Sequence, residues 1–297
     1  MQSTERARKA AVCGKPIGHS LSPVIHTAGF AAAGLLTWTY TAIECAEAEL
    51  PGLVAGLGPE WAGLSLTMPL KEVALTLAAA ASPVATAIGA ANTLVRRPDG
   101  TWFADNTDVP GMVRVLGDAG LAHGPSVTAP SDAGVPPGHV SGPSVTVLGG
   151  GGTARAALAA AAQLGATDVT VVTRRPEARD ELAPAAAALG VTITGVEWAD
   201  APAAFDADAV ISTVPKGAAD ALATAVKWRP GTVLFDAIYD PWPTPLAAAA
   251  ADHGVPVVSG LDLLLAQALG QFEQFTGVHP APEAAMRAAL TAASAVG

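Results

Sequence analysis

The second half of the chain alternates short apolar runs with alanine-rich stretches such as "TARAALAAAAQLG" and "PEARDELAPAAAALG". Each of these two stretches ends in a glycine, which suits the C terminus of a helix. The apolar runs are expected to form strands at 144–149, 168–174, 191–198, 208–215, 232–239 and 255–260. Strand–helix units of this length predict a parallel, doubly wound sheet with helices on both faces.

The first hundred residues alternate less regularly and predict a separate α/β domain. Strands are expected near 10–14, 38–44, 63–67, 92–96 and 101–104, and helices at 23–33, 46–56, 70–80 and 109–119. Near the other end, "LDLLLAQALGQFEQFTG" has the apolar spacing of an amphipathic helix, with Gln267 and Gln271 near the edge of its apolar stripe. We therefore expect one domain of 1–107 joined by 261–297, and a second of 108–260.

Residues 122–144 are rich in Pro, Gly and Ser and show no periodicity, which predicts a mobile loop or linker. Because this segment leads into the first strand of the second sheet, it should lie away from the strands' carboxyl ends, where ligands bind. We expect it to have no role in ligand binding.

Composition narrows the class of protein. The net charge of −10 and the pI near 4.9 argue against nucleic acid or an anionic membrane as the main partner. No apolar run reaches the roughly 18 residues of a membrane span, and no secretory signal is expected at the start. Cys13 and Cys45 lie in apolar stretches and are expected to be buried free thiols. These features predict a cytoplasmic protein.

The stretch "TVLGGGGTARAAL" places Gly149-x-Gly151-x-x-Ala154 between a predicted strand and a predicted helix. Glycines there permit a tight turn and close approach of a pyrophosphate, and the helix N terminus favours its charge. This context predicts a Rossmann-like dinucleotide site rather than a plain glycine loop.

The end of the next strand distinguishes the two nicotinamide dinucleotides. It reads "VVTRRPEAR", with Thr173, Arg174 and Arg175 at its tip and no acidic residue to hold the ribose hydroxyls of NAD. Guanidinium groups suit a 2′-phosphate, so the sequence favours NADP. The alternative is that the two arginines are only solvated loop charges.

Three polar segments of the first half have both structural and functional interpretations. Ser22-Pro23 could be an N-cap followed by the first helical residue, or part of a carboxylate site. Lys71 is expected in the first turn of a helix that starts at Pro69, an unfavourable place for a cation with no function. Asp108 could cap a helix that begins at Val109. No cluster of His, Cys or acidic residues has metal-ligand spacing, so no metal is expected.

Taken together, these segments resemble shikimate dehydrogenase. The matching stretches are "PIGHSLSPVIHT", "SLTMPLK", "GAANT", "NTDVPG", "GGGG", "DAIYDPWPTPL" and "GLDLLLAQA", in order over nearly the whole chain. The family carries asparagine where this chain has Ser65 and where it has Thr27, and its usual connection is shorter than 122–144. Only the change at Ser65 affects a substrate contact.

The resemblance implies NADPH-dependent, reversible reduction of 3-dehydroshikimate to shikimate, a step of aromatic amino-acid biosynthesis. Lys71 and Asp108 would be the catalytic pair, in a cleft between the two domains, with Asp108 also contacting substrate. Substrate would be bound by Ser20, Ser22, Thr67, Asn92, Tyr239 and Gln267. The cofactor would be bound by Gly149, Gly150, Gly151, Gly152, Thr153, Thr173, Arg174 and Arg175, with Ala237 and Gly260 on the nicotinamide side. The enzyme would be a monomer or homodimer with a small-molecule substrate.

Two alternatives stay open. A quinate or quinate/shikimate dehydrogenase of the same family would differ near Ser20, Ser22 and Tyr239, where quinate carries an extra hydroxyl. A non-enzymatic NADP-binding sensor could use the same fold, although it would not need Lys71 and Asp108. Burial lowers the pKa of a lysine and a neighbouring carboxylate raises it, so the sequence predicts neither protonation state of Lys71.

Overall fold

The computed structural model describes residues 7–121 and 142–295. The chain divides into two compact units, Met1–Gly111 with Leu264–Gly297 as the first unit, and Met112–Leu263 as the second. Both boundaries fall inside helices. In the described part of the chain, no helix has both the length and the apolar character needed to cross a bilayer.

Strands and helices largely alternate along the described residues. The strands are β1 (Arg8–Gly14), β2 (Trp38–Glu44), β3 (Trp61–Leu66), β4 (Ala80–Ala81), β5 (Thr93–Arg96), β6 (Trp102–Asp105), β7 (Val145–Leu148), β8 (Asp168–Thr173), β9 (Thr192–Glu197), β10 (Ala209–Ser212), β11 (Val233–Asp236) and β12 (Val257–Ser259). The α-helices are α1 (Ser22–Ala32), α2 (Leu50–Gly56), α3 (Val73–Leu77), α4 (Pro83–Ile88), α5 (Asp108–Asp118), α6 (Gly152–Gln163), α7 (Glu177–Asp180), α8 (Ala183–Leu189), α9 (Pro245–Asp252), α10 (Gly260–Thr276) and α11 (Glu283–Ser294). Two 3₁₀ helices span Trp198–Phe205 and Asp220–Thr224.

The first unit contains a mixed sheet with the strand order β2-β1-β3-β5-β6-β4. Strands β1, β2 and β3 are parallel, whereas β5 runs antiparallel to both β3 and β6. As a result, the carboxyl ends of β1, β3 and β6 and the amino end of β5 lie at one edge of the sheet. The segments that enter or leave those four ends carry most of the polar residues singled out above.

Helices from both ends of the chain pack in this unit. A Cβ at Gly29 of α1 would lie 3.0 Å from the Phe272 ring of α10 and 3.1 Å from Met286 of α11. Glycine therefore permits close packing of the three helices. At Gly63 of β3, a Cβ would collide with the Phe275 ring of α10.

The second unit contains the predicted parallel sheet, in the order β12-β11-β10-β7-β8-β9. Every neighbouring pair in it is parallel. Strand β7 lies between β8 and β10, so the chain adds β8 and β9 on one side of β7 and then crosses to add β10, β11 and β12 on the other. This is the topological switch point at which doubly wound sheets bind ligands, at the carboxyl ends of the strands.

The predicted helix at 70–80 is wrong at its start, because α3 begins only at Val73. Lys71 therefore lies in the turn before the helix. Its carbonyl accepts a 2.7 Å hydrogen bond from the N–H of Ala91 and so does not join the helical ladder. The argument that a helix dipole disfavours Lys71 therefore does not hold. The position of Lys71 follows instead from its main-chain hydrogen bond with Ala91, twenty residues later in the sequence.

Two other local predictions also need correction. Ser22 is not an N-cap: Leu21 takes that position, and the Ser22 N–H donates to Ser20 Oγ at 3.3 Å. The predicted single helix "PEARDELAPAAAALG" is divided into α7 and α8, because Pro184 in the first turn of α8 has no N–H to continue the earlier ladder.

Other predictions have mixed outcomes. Helix α11 was not predicted from the sequence. Of the predicted loop, 122–141 lies outside the described residues.

Cys13 and Cys45 are free and buried, as expected. Burial, with a smaller effect of Cys45, raises the pKa of the Cys13 thiol to about 12, which disfavours the reactive thiolate form.

Candidate functional site

An ion pair between Lys71 and Asp108 lies at the polar edge of the first sheet. Lys71 Nζ is 2.6 Å from Asp108 Oδ2, and the two side chains are 15% and 9% exposed. The segment before β5 positions both residues. Ala91 binds the Lys71 carbonyl, while Asn106 donates to the Ala90 carbonyl at 2.9 Å and accepts the Asp108 N–H at 3.1 Å. The arrangement places the Lys71 amine, which can exchange a proton, beside the Asp108 carboxylate, which fixes the position of that amine.

The hydrogen bonds of Asn92, which is adjacent in sequence to Ala91, determine which end of its side-chain amide can face a ligand. Its Oδ1 accepts hydrogen bonds from the Thr93 hydroxyl at 2.7 Å and from the Thr107 N–H and hydroxyl at 2.8 and 3.1 Å. Among the described residues, its Nδ2 has only a 3.5 Å contact with Gln267 Oε1. Since the oxygen is saturated, Asn92 can offer its N–H donors to a ligand hydroxyl.

Gln267 and Thr67 supply two further polar groups of the same unit. Gln267 is buried, and its Nε2 donates to the Leu264 carbonyl at 2.8 Å. Thr67 follows β3 directly, and its N–H donates to the Cys13 carbonyl at 2.9 Å. Its hydroxyl makes no hydrogen bond with any residue in the described ranges. That hydroxyl can therefore bind a ligand.

Ser20 and Ser22 lie at the start of α1, after the carboxyl end of β1. Ser22 is buried, and Ser20 is partly exposed. Burial raises the pKa of the Tyr40 hydroxyl in the same unit, and its hydrogen bond with Ser65 opposes this increase. The two serines thus form a pair of small hydroxyls at a helix N terminus, a position that suits a carboxylate.

The sequence analysis did not assign several residues that the structure connects to this group. Thr107 holds Asn92, Gln271 contacts Ser65, and Tyr40 also contacts Ser65. Gln271 could have been inferred, because it lies four residues after Gln267 and so on the same face of α10. Tyr40 gave no such signal beyond its place on an alternating strand.

In the second unit, the glycine turn lies at the carboxyl end of β7. Gly149 has a φ of +114°, and its N–H donates to the Val172 carbonyl at 2.9 Å. Helix α6 then begins with Gly152 and Thr153, and no side chain caps it. A Cβ at Gly151 would meet no atom within 4 Å, which leaves open space before the first N–H groups of the helix. Gly150, by contrast, packs against Ala178.

Thr173, Arg174 and Arg175 follow at the end of β8. The Thr173 hydroxyl is buried and has no hydrogen-bond partner among the described residues. Both arginines are exposed and make no ion pair with any residue of the described ranges. An uncapped helix N terminus, an orphaned hydroxyl and two unpaired guanidinium groups are the donors that a dinucleotide with a 2′-phosphate requires. The residues present fit NADP.

Ala237, Tyr239 and Gly260 come together after β11 and β12. A Cβ at Gly260 would collide with the Ala237 carbonyl oxygen and would lie 3.0 Å from Tyr239 Cδ1. Burial, followed by the charge of Asp240, raises the pKa of the Tyr239 hydroxyl. Tyr239 belongs to the second unit, unlike Ser20 and Ser22, and its predicted contact with substrate stays a prediction.

Comparison with family models covers three parts of the chain. Residues 12–94 match the shikimate dehydrogenase substrate binding domain, and residues 260–291 match the shikimate 5′-dehydrogenase C-terminal domain. Residues 144–238 match the coenzyme F420-dependent NADP oxidoreductase model.

Individual proteins agree over almost their full lengths. The NADP(+)-dependent shikimate dehydrogenase of Anaeromyxobacter dehalogenans is 37% identical over 297 residues, which cover 97% of this chain and 98% of the relative. The structure of Mycobacterium tuberculosis shikimate dehydrogenase has 45% identity and a TM-score of 0.82, with 96% of this chain and 99% of that chain covered.

A third structure, the Thermus thermophilus enzyme in complex with NADP(H) and shikimate, has 27% identity and a TM-score of 0.77, with coverage of 96% and 99%. The predicted resemblance and the predicted two-domain α/β fold are confirmed. The chain belongs to the shikimate dehydrogenase family.

Proposed function

We propose that this chain catalyses the reversible reduction of 3-dehydroshikimate to shikimate with NADPH, a step of aromatic amino-acid biosynthesis. The oxidoreductase class and the NADP cofactor predicted from the sequence agree with the names of the curated relatives. The observation that carries the proposal is the close ion pair of Lys71 and Asp108 beside the donor amide of Asn92.

Lys71 would manage the proton of the reaction. In the reductive direction, its ammonium group donates a proton to the carbonyl oxygen as that atom gains negative charge, and the neutral amine accepts a proton in the oxidative direction. Bound NADPH supplies the hydride. Asp108 holds Nζ in place and stabilises its positive charge. Proton transfer by a positioned side chain typically contributes about 10²- to 10⁴-fold to the rate.

The surrounding polar groups would orient the ring. Asn92 donates through Nδ2, and Thr67 and Gln267 bind the remaining hydroxyls. Ser20 and Ser22 bind the carboxylate through their hydroxyls, with Tyr239 as a further contact. Asp108 also accepts from the hydroxyl that is oxidised.

Residues of the second unit would hold the cofactor. The turn Gly149–Thr153 binds the pyrophosphate, Thr173–Arg175 bind the adenosine phosphate, and Ala237 and Gly260 line the nicotinamide. We accordingly propose a substrate-binding domain of 1–107 with 261–297, and an NADP-binding domain of 108–260.

The first experiment follows nicotinamide absorbance with shikimate and with quinate, each with NADP and with NAD. Turnover confined to shikimate with NADP is the expected result. Strong turnover of quinate would favour the quinate dehydrogenase alternative. Binding of NADP without turnover in any combination would favour a sensor and contradict the proposed activity.

We also propose that the enzyme acts in the cytoplasm as a monomer or homodimer. The two buried free thiols, Cys13 and Cys45, suit a reducing compartment. Light scattering of the purified chain, with and without NADP, measures the assembly directly, and a mass above that of two chains would contradict this.

A further inference from the structure

A chain of buried hydrogen bonds leads from Tyr40 to Asn92. The Tyr40 hydroxyl contacts Ser65 Oγ at 2.6 Å, and Ser65 Oγ contacts Gln271 Oε1 at 2.6 Å. Gln271 Nε2 donates to the main-chain carbonyl of Asn92 and to Thr93 Oγ1, both at 3.1 Å. Thr93 Oγ1 then donates to Asn92 Oδ1 at 2.7 Å. All five residues are buried, so lost bonds in this chain are poorly replaced by water.

The chemistry of the groups determines the direction of every bond. The main-chain carbonyl of Asn92 can only accept a hydrogen bond. The Gln271 amide must therefore present Nε2 to that carbonyl and Oε1 to Ser65. Oε1 can only accept, so the single proton of Ser65 goes to Gln271. Tyr40 must therefore donate to Ser65. The last link saturates Asn92 Oδ1 and leaves Nδ2 as the group directed to a ligand.

Packing holds the Tyr40 ring independently of this chain. The His26 ring stacks on it with centroids 4.1 Å apart and an interplanar angle of 2°, and Phe30 lies at 6.5 Å. With its proton committed to Ser65, the Tyr40 hydroxyl fixes which way the Ser65 proton points. Tyr40 thus anchors the group that orients Asn92.

We propose that Tyr40 is a positioning residue for substrate, which acts through Ser65 and Gln271 on Asn92. This inference rests on the proposed function, because Asn92 is a substrate contact in it. Ser65 stands where the family carries asparagine, and in this chain it joins Tyr40 to Gln271. Tyr40 need not touch substrate to set its affinity.

The test is steady-state kinetics of Tyr40→Phe, Ser65→Ala and the double variant. Tyr40→Phe keeps the stacked ring and removes only the hydroxyl. Loss of one buried hydrogen bond should raise the KM for shikimate about 3- to 10-fold, with kcat and the KM for NADP nearly unchanged. Since Tyr40 acts through Ser65, the KM for shikimate of the double variant should exceed that of Ser65→Ala by no more than about twofold. Such non-additivity is typical of residues in contact.

The matched control is Phe30→Leu, which disturbs the same aromatic cluster without touching the hydrogen-bond chain. It should lower the midpoint of thermal unfolding and leave the KM for shikimate unchanged. An unchanged KM in Tyr40→Phe, or fully additive effects with Ser65→Ala, would overturn the inference. A lower KM would also overturn it, because loss of the Tyr40 hydroxyl would then improve substrate binding.

Failure of this inference is separable from failure of the proposed function. If the unmodified chain does not turn over shikimate with NADP, the proposed function is wrong. If it does and Tyr40→Phe behaves like the unmodified chain, only the inference is wrong.

Discussion

Lys71 Nζ and Asp108 Oδ2 are 2.6 Å apart although 37 positions separate the two residues in sequence. The contact depends on the antiparallel placement of β5 between β3 and β6, which brings the segments after β3 and β6 to the same sheet edge. The Ala91 N–H then donates to the Lys71 carbonyl, and Asn106, which donates to the Ala90 carbonyl, accepts the Asp108 N–H. The pair is therefore a product of sheet topology rather than of local sequence.

Replacement of Lys71 by alanine should lower kcat for shikimate oxidation by at least about 10²-fold. Binding of shikimate, measured by calorimetry, should change little, because the ring hydroxyls retain Asn92, Thr67 and Gln267. Lys9→Ala is the matched control, since Lys9 pairs with Glu60 at the exposed surface of the same unit. Near-normal turnover in a folded Lys71→Ala enzyme would contradict the proposed proton transfer.

The double replacement Arg174→Ala and Arg175→Ala should weaken NADP binding and leave NAD binding almost unchanged. Both guanidinium groups are exposed and unpaired among the described residues, so their loss should not affect folding. Charge-assisted hydrogen bonds contribute about 1.5–3 kcal/mol each, so we expect a loss of at least tenfold in NADP affinity. Fluorescence titration with both cofactors measures the effect, with exposed Lys227→Ala as the control. Equal losses for NADP and NAD would argue against a 2′-phosphate site.

Two glycines of the same turn should respond differently to alanine. Gly149 has a φ of +114° and lies against Thr213, so Gly149→Ala should reduce the free energy of unfolding by about 1–3 kcal/mol. Gly151 has open space around it, so Gly151→Ala should fold normally and weaken NADP binding by restricting the approach of the pyrophosphate. Thermal unfolding and cofactor titration of both variants separate the two effects. Unchanged NADP binding in Gly151→Ala would mean that the pyrophosphate lies elsewhere.

His26 should make the fold sensitive to acid. Burial lowers the pKa of His26 from 6.5 to about 3, so the unfolded chain takes up a proton at a pH where the folded chain does not. The stability contributed by neutral His26 is complete above about pH 6.5 and declines as the pH falls toward 3, by about 1.4 kcal/mol per pH unit. His26→Phe keeps an aromatic ring against Tyr40 and removes this titration.

Urea unfolding at several pH values measures that effect. The free energy of unfolding should fall more steeply below pH 6.5 in the unmodified chain than in His26→Phe. Parallel slopes in the two proteins would show that His26 is not neutral and buried in solution.

The sequence predicted most of the architecture, because strands and helices in this chain have strong local patterns. It placed the turn at Gly149 and the residues around Lys71 and Asp108 through motifs that are contiguous in sequence. Its errors have non-local causes: the hydrogen bond from Ala91 keeps Lys71 out of a helix. The Tyr40–Ser65 and Ser65–Gln271 contacts join residues 25 and 206 positions apart, and no local pattern encodes such pairs.

The first unit is made of two separate segments of the chain, which affects the order in which it can fold during translation. Gln267 and Gln271 contact Asn92 and Ser65, and the Phe275 ring lies over Gly63, so the last helices complete a unit whose sheet is made first. During translation, β1–β6 leave the ribosome before the whole second unit is synthesised. The first unit can therefore finish folding only after α10 has been synthesised. Until then β3 lacks the Phe275 ring that lies against Gly63, so we expect the nascent polypeptide to bind chaperones that recognise exposed apolar segments.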